Sequence, residues 1–140
     1  MTATADRIVF DAEPLVAHAA DEPGASTVAN YLDAVSVDGS DGYISWVTVS
    51  EVRYILARKY DRDVADEYLE WVFELGLEPI DVEPVWFDAS EHVLASNPAL
   101  GDSFALATAT HVDATLLVGG DDDYDDITDV PIERLRDGSS

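Results

Sequence analysis

The feature that most constrains the fold of this chain is the alternation of short apolar runs with longer amphipathic segments. Residues 8–10 and 115–118 are mainly apolar and are bounded by polar or turn residues, which is typical of buried strands. Between such runs, apolar residues recur at helical spacing, as at Val28, Leu32 and Val35. Strands that alternate with helices predict a central, mostly parallel sheet with helices on both faces. The expected fold class is therefore α/β, a three-layer sandwich.

The length and composition of the chain fit one domain. At 140 residues and a hydrophobic fraction of 47%, the chain can bury a substantial core. It contains no internal repeat and no linker-like stretch. We therefore expect a single domain over residues 1–140, with an ordered core at about 7–136 and short flexible termini.

Several classes of protein are disfavoured by what the sequence lacks. There is no cysteine, which excludes a disulfide scaffold and any thiolate-bound metal site. No apolar run is long enough to cross a membrane, and residues 1–7 lack the apolar segment of a signal peptide. We expect no membrane interaction and a cytoplasmic location.

The charge balance is extreme, with 30 acidic residues against 7 basic ones and a formal net charge of −23. Self-repulsion of this size destabilises a compact state in dilute buffer, but at molar salt the screening length falls to about 3 Å. The acids are scattered along the chain, whereas an acidic interaction domain more often carries blocks of like charge. The pattern resembles proteins of halophilic archaea and indicates adaptation to a salt-rich cytoplasm.

Four acids fall where an open parallel sheet binds its ligands, beyond the carboxyl ends of the strands. Asp11 closes the first strand, and Asp121 follows the strand that ends before two glycines. Glu51 is expected in the first turn of the helix after the second strand, and Asp102 at the start of an alanine-rich helix. Taken singly, each acid could be an ordinary helix cap or turn residue. Their shared placement at one rim of the sheet predicts a common site.

Converging carboxylates repel one another unless a cation lies between them. Mg²⁺, or Mn²⁺ in its place, takes oxygen ligands of this kind together with water and phosphate. A bound ion makes water a stronger nucleophile for phosphodiester hydrolysis, so no protein nucleophile is needed. We therefore predict that the four acids are both metal ligands and catalytic residues: Asp11, Glu51, Asp102 and Asp121.

Four segments, at residues 8–11, 48–52, 101–109 and 116–124, carry a family resemblance in the right order. The third has an Asp followed by Ala-Thr-Ala, and the fourth is similar to a Thr-Gly-Asp-x-Asp-Phe motif. Together they resemble the PIN-domain family, especially its VapC-like ribonuclease toxins, here of haloarchaeal type. The likeness runs from Ile8 to about Ile127.

The resemblance implies a PIN fold, Mg²⁺ or Mn²⁺ on the four acids, and cleavage of RNA. It also implies a small antitoxin as partner and often a homodimer, and it makes Asp123 an auxiliary acidic group. Two positions depart from the family pattern: Ala12 and Glu13 follow the first Asp in place of Ser or Thr, and Gly119 replaces a Thr or Ser. These departures leave an alternative open, namely a catalytically silent PIN domain that acts as an RNA- or protein-binding module.

Four of the seven basic residues lie within ten positions: Arg53, Arg58, Lys59 and Arg62. Arg58 follows Glu51 by seven residues, so both lie on one helix face about two turns apart. Arg58 is the best candidate for binding substrate phosphate, although a basic residue near a helix C-terminus also has a structural explanation.

Other nucleotide-handling chemistries fit less well. A phosphate-binding loop would need a Gly-x-x-x-x-Gly-Lys motif, which is absent. A phosphorylatable receiver domain would need a lysine at the end of the last strand, but the only lysine is Lys59. Three tryptophans, Trp46, Trp71 and Trp86, could stack on bases, but burial in the core or in a dimer interface is favoured.

Overall fold

The computed structural model describes residues 6–37, 39–120, 124 and 127–135. Strands alternate with pairs of helices along the chain, as the periodicity predicts. The elements, in chain order, are β1 (Arg7–Phe10), α1 (Ala12–Ala19), α2 (Ala25–Ser36), β2 (Asp41–Ser45), α3 (Trp46–Lys59), α4 (Arg62–Leu75), β3 (Leu77–Ile80), α5 (Trp86–Ser96), α6 (Leu100–Val112), β4 (Thr115–Val118) and β5 (Ile132–Arg134).

The five strands form one parallel sheet in the order β3-β2-β1-β4-β5. The chain first adds β2 and β3 on one side of β1, and then returns to the other side of β1 to form β4 and β5. Because parallel crossovers are almost always right-handed, this reversal moves the later helices to the opposite face of the sheet. The predicted α/β class, with helices covering both faces of a parallel sheet, is confirmed.

The two faces of β1 belong to two separate cores. Ile8 and Phe10 pack with side chains of α1, α2, α3 and α4. Val9 points to the other face, where it packs with Leu106 of α6 and Leu116 of β4. Successive strand residues alternate between faces, so one apolar run supplies both layers.

The alanine-rich stretch of α6 is buried against the sheet and α5. Ala105 and Ala109 join the core around Val9, while Ala107 packs against Ala89 of α5. Small side chains let the helix lie close to its neighbours, which fixes the position of its first turn at the rim of the sheet. No helix in the described part of the chain is long and apolar enough to cross a membrane.

One helix start differs from the sequence prediction. α3 begins at Trp46 because Ser45, the last residue of β2, caps it by accepting a hydrogen bond from the Val47 amide. Glu51 therefore lies in the second turn, and the prediction that it lies in the first turn is wrong. α6 begins at Leu100, so Asp102 lies within its first turn, as predicted.

Candidate metal site

Three of the four predicted acids, Asp11, Glu51 and Asp102, lie where the strand order reverses. The chain adds strands outward from β1 and then returns to form β4 beside it, so the carboxyl ends of β1 and β4 flank a crevice. Ligands of open parallel sheets bind at such a switch point. Asp11 directly follows β1, and Gly119 and Gly120 directly follow β4.

Asp11 is buried and is held at both carboxylate oxygens. Its Oδ1 accepts a hydrogen bond of 2.8 Å from the amide of Ala12 and so caps α1, while its Oδ2 accepts one of 2.5 Å from the hydroxyl of Tyr124. Its own amide donates to the carbonyl of Leu117 in β4. The orientation of this carboxylate is therefore fixed before any ligand arrives.

Glu51 reaches the site from α3 and lies against the first turn of α6. A methyl group at Gly101 would overlap with the Glu51 carboxylate in its present position, so a larger residue there would require the Glu51 side chain to move. The Oε1 atom of Glu51 is buried and has no hydrogen-bond partner among the described residues. The hydroxyl of Thr48, one turn earlier on α3, is also buried and has no hydrogen-bond partner among the described residues.

Asp102 is the third acid, and its charge acts on the other two. Burial raises the pKa of Asp11 to about 8, with repulsion from Asp102 and then Glu51 adding to the effect of burial. The hydrogen bonds from Tyr124 and Ala12 act in the opposite direction. Burial also raises the pKa of Glu51, again with a contribution from Asp102. Three carboxyl groups therefore meet at this rim in an environment that disfavours their ionised forms.

The described acids do not form a closed metal cage by themselves. No three acidic or histidine side chains within the described ranges stand close enough together to hold a metal ion. Like charges repel, and carboxylates converge fully only around a cation. Asp121, the fourth predicted ligand, and Asp123, the predicted auxiliary acid, lie outside the described residues.

The donor set nevertheless fits a hard divalent ion. A buried carboxylate oxygen without a hydrogen-bond partner is costly unless a cation or a water satisfies it. Glu51 supplies such an oxygen, and the two carboxylates beside it supply the ligand type that Mg²⁺ and Mn²⁺ prefer.

Arg58 lies on the same side of α3 as Glu51 but two turns farther along, outside the cluster of acids. Its side chain is exposed, and its guanidinium carbon lies 5.1 Å from the centre of the Tyr54 ring. The structure thus keeps the predicted substrate-binding residue apart from the predicted metal ligands.

Sequence reasoning overlooked the role of Tyr124 in orienting Asp11. The two residues are 113 positions apart, and the corresponding position of the quoted motif is a Phe without a hydroxyl. The Tyr124 side chain is buried, and its pKa is strongly raised by burial and by the charge of Asp11.

The two departures from the family pattern meet in space. The Glu13 carboxyl group lies against Gly119, where any side chain at position 119 would overlap with it. The absence of a hydroxyl side chain after β4 and the presence of an acid in α1 therefore occur at one place in the structure.

Comparison with known proteins agrees with this geometry. A family model described as PIN domain matches residues 8–130. No curated protein matches the chain.

Several solved structures share the fold at low sequence identity. VapBC2 from Rickettsia felis, bound to a DNA fragment from its promoter, matches with a TM-score of 0.73 and 18% identity over 93% of this chain and 99% of that chain. A toxin–antitoxin complex from Klebsiella pneumoniae gives a TM-score of 0.70 and 16% identity over 93% and 98%. The sarcin-ricin loop cleaving toxin VapC20 from Mycobacterium tuberculosis gives 0.63 and 12% over 78% and 86%.

Proposed function

The chain belongs to the PIN domain family, and on this premise we propose that it is a metal-dependent endoribonuclease that hydrolyses RNA phosphodiester bonds. One observation carries the proposal. The buried carboxyl group of Asp11 and the half-buried carboxyl group of Glu51 lie with Asp102 at the strand switch point, where burial and the charges of Asp102 and Glu51 raise the pKa of Asp11. Such an arrangement is unfavourable without a cation, and it suits a cation that also binds phosphate.

In this proposal Asp11, Glu51 and Asp102, together with Asp121, hold Mg²⁺ or Mn²⁺. When bound, the ion supplies a more acidic water and stabilises negative charge on the phosphate. Ala12 and Tyr124 hold the Asp11 carboxylate in one orientation. Asp123 serves as an auxiliary acid.

The test is RNA cleavage with Mn²⁺ in molar KCl, comparing the wild type with Asp11→Asn. The substitution keeps the shape of the side chain and removes its charge, so cleavage should be lost. Asp113→Asn is the matched control, because Asp113 is an exposed acid at the far end of α6. Equal activity of the wild type and Asp11→Asn would refute the mechanism.

A catalytically silent PIN domain that binds RNA or protein is the second candidate. The absence of hydroxyl side chains at Ala12 and Gly119 favours it, and the retention of the acids argues against it. An inactive wild type that still binds Mn²⁺ and RNA would support this second candidate.

We also propose that the chain is the toxin of a VapBC-type pair, with a small antitoxin as partner. The support is the shared fold with toxin–antitoxin complexes. Expression of the wild type should arrest growth of a host cell, expression of Asp11→Asn should not, and co-expression of the antitoxin should relieve the arrest.

A homodimer is part of the same proposal. Its support is a set of apolar side chains exposed on one side of α5 and at the start of α6: Trp86, Phe87, Leu94 and Leu100. Leu94, with 79% of its surface exposed, would be buried by a second copy. Leu94→Lys should convert a dimer to a monomer in light-scattering measurements, and an unchanged mass would refute this interface.

The salt-rich cytoplasm inferred from the charge balance completes the proposal. The free energy of unfolding should rise with KCl between 0.1 and about 2 M, because screening removes the self-repulsion of the acids. A protein equally stable in low salt would contradict it.

A further inference from the structure

The strongest feature outside the carboxylate cluster is a cavity of about 450 Å³ where α3 turns into α4. Three arginines, two tyrosines, one alanine and one acid line it: Arg53, Arg58, Arg62, Tyr54, Tyr60, Ala57 and Asp61. We refer to it as the α3–α4 pocket. It gathers three of the seven basic residues of a chain that carries 30 acids, and its three arginines outnumber the one acid in its lining.

Two of these arginines are available to a ligand. Arg53 is engaged in an ion pair with Asp66 of α4, at 2.7 Å. Arg58 and Arg62 form no ion pair with any residue in the described part of the chain. In a protein with so many carboxylates, two arginines left without an ion pair at one cavity indicate a site for an external anion.

The tyrosines add a second kind of contact. Tyr54 and Tyr60 each expose almost half of their surface, 46% and 48%. The guanidinium of Arg58 lies over the Tyr54 ring, an arrangement that holds its plane in place and leaves its N–H edges free to donate to an anion. Exposed aromatic rings beside stacked arginines are the features that bind bases and phosphates of single strands.

The pocket lies on the same side of α3 as the Glu51 carboxylate of the candidate metal site. Tyr54 and Arg58 follow Glu51 by three and seven residues, so the three side chains lie along one stripe of α3. At 1.5 Å per residue, Arg58 is about 10 Å from Glu51 along the helix axis. An extended single strand that places one phosphate at the acids can reach the pocket with a neighbouring nucleotide.

We propose that the α3–α4 pocket is a nucleotide-binding subsite that takes the phosphate and base of single-stranded RNA next to the scissile bond. This inference rests on the proposed ribonuclease function and adds that the RNA is single-stranded and that its path runs along α3 from the acids to the pocket. Arg58 and Arg62 contact phosphate, and the tyrosine rings stack on a base.

The test is equilibrium binding of labelled single-stranded RNA oligonucleotides to the Asp11→Asn protein, which blocks cleavage, over a range of KCl. Tyr54→Leu should weaken binding between roughly 5- and 100-fold, the range for loss of one stacked base. This effect should persist at high KCl because stacking depends little on salt.

Arg58→Gln should weaken binding most at low KCl and reduce the slope of log affinity against log salt by about 0.7 to 1. Arg7→Gln is the matched control, because Arg7 also stacks on a tyrosine, at 5.7 Å from the Tyr43 ring, but lies at the start of β1, at the amino ends of the strands. It removes the same charge and should leave the affinity unchanged.

Losses that are no larger in Tyr54→Leu and Arg58→Gln than in Arg7→Gln would overturn the subsite. So would equal binding of a poly-glutamate peptide at the same pocket, since that would show a general anion site or a surface for an acidic protein. If the wild type cleaves RNA but the pocket variants bind it normally, the subsite fails and the ribonuclease proposal stands. If the wild type fails to cleave while Tyr54→Leu still loses RNA affinity, only the ribonuclease proposal fails.

Discussion

The two halves of α3 have opposite chemistry. The first half carries Thr48 and Glu51, whose buried oxygens lack hydrogen-bond partners among the residues described. Other carboxyl groups lie near Glu51 and disfavour its ionised form. The second half carries Tyr54 and Arg58, which are exposed and lie beside a cavity lined by arginines. The first half of the helix therefore favours a bound cation, and the second half favours a bound anion. In the proposed function, a phosphodiester with its metal ion would satisfy both, and a protein of net charge −23 would thereby accept a polyanion locally.

The largest expected effect separates the two halves directly. Glu51→Gln should lower RNA cleavage at least about 100-fold and weaken Mn²⁺ binding, because it removes a charged ligand without changing its shape. Arg58→Gln should leave Mn²⁺ affinity unchanged. Calorimetric titration with Mn²⁺ measures both, with Glu67→Gln, an exposed acid on α4, as control. Equal Mn²⁺ affinity of Glu51→Gln and Glu67→Gln would contradict this division of α3.

The acids that meet at the first half of α3 should also make the stability of the protein depend on pH, and Asp11 should have the largest effect. The pKa of Asp11 is about 8 in the folded state and near 3.8 when unfolded. The folded state therefore binds this proton more tightly, and the resulting stabilisation is complete below pH 3.8 and is lost as the pH rises through 8. The difference in free energy of unfolding between the wild type and Asp11→Asn should fall by several kcal/mol across this window, since each tenfold change in proton affinity is worth about 1.4 kcal/mol.

Denaturant unfolding in EDTA at constant KCl, at pH 5 and pH 9, measures this difference. Mn²⁺ should restore the stability of the wild type at pH 9 and leave Asp11→Asn little changed. A difference that does not vary with pH would show that Asp11 is not forced to ionise in a buried site.

Gly101→Ala should lower the affinity for Mn²⁺ by an intermediate amount. The added methyl overlaps with the Glu51 carboxylate, so Mn²⁺ affinity should fall about 10- to 100-fold. The free energy of unfolding should not fall, because alanine is favoured over glycine in a helix by up to about 1 kcal/mol. In a Glu51→Ala background the same substitution should leave Mn²⁺ affinity unaffected, and a further loss there would rule out the steric explanation.

The smallest effect is expected for Tyr124→Phe. It removes one hydroxyl that orients Asp11 while keeping the buried ring, so Mn²⁺ affinity should fall about 3- to 10-fold. Tyr68→Phe is the matched control, because the Tyr68 hydroxyl is hydrogen bonded to Nδ1 of His18 at 3.0 Å, on the α1–α4 side. An effect as large in Tyr68→Phe would indicate a general loss of packing.

The sheet and the placement of the acids were largely predictable from the sequence, because both depend on local pattern. An apolar run that ends in Asp11 and a Gly-Gly after β4 mark strand ends, and parallel strands bring those ends to one rim. The start of α3 was not predictable from propensity, since Trp46 and Val47 are favoured in strands as much as in helices. There the cap made by Ser45 decides the boundary.

The supporting residues of the site escaped prediction because their partners are distant in sequence. The residues around Gly101 in the sequence do not indicate that it lies against Glu51. The residues around Gly119 likewise do not indicate that it lies against Glu13. The tryptophans were misjudged in part: Trp46, Trp71 and Trp86 are 42%, 44% and 54% exposed, so burial in the core is wrong. Their place in a dimer interface or against bases stays a prediction.

The pairing of the central strand has a consequence for when the protein becomes competent during its synthesis. β1 is made first, yet its neighbour β4 and the hydroxyl of Tyr124 come from the last quarter of the chain, 113 positions after Asp11 in the case of Tyr124. Contacts of such long range form late, and domains fold as units once their chain has emerged. A chain that stops before β4 therefore lacks one side of the crevice and the hydroxyl that orients Asp11.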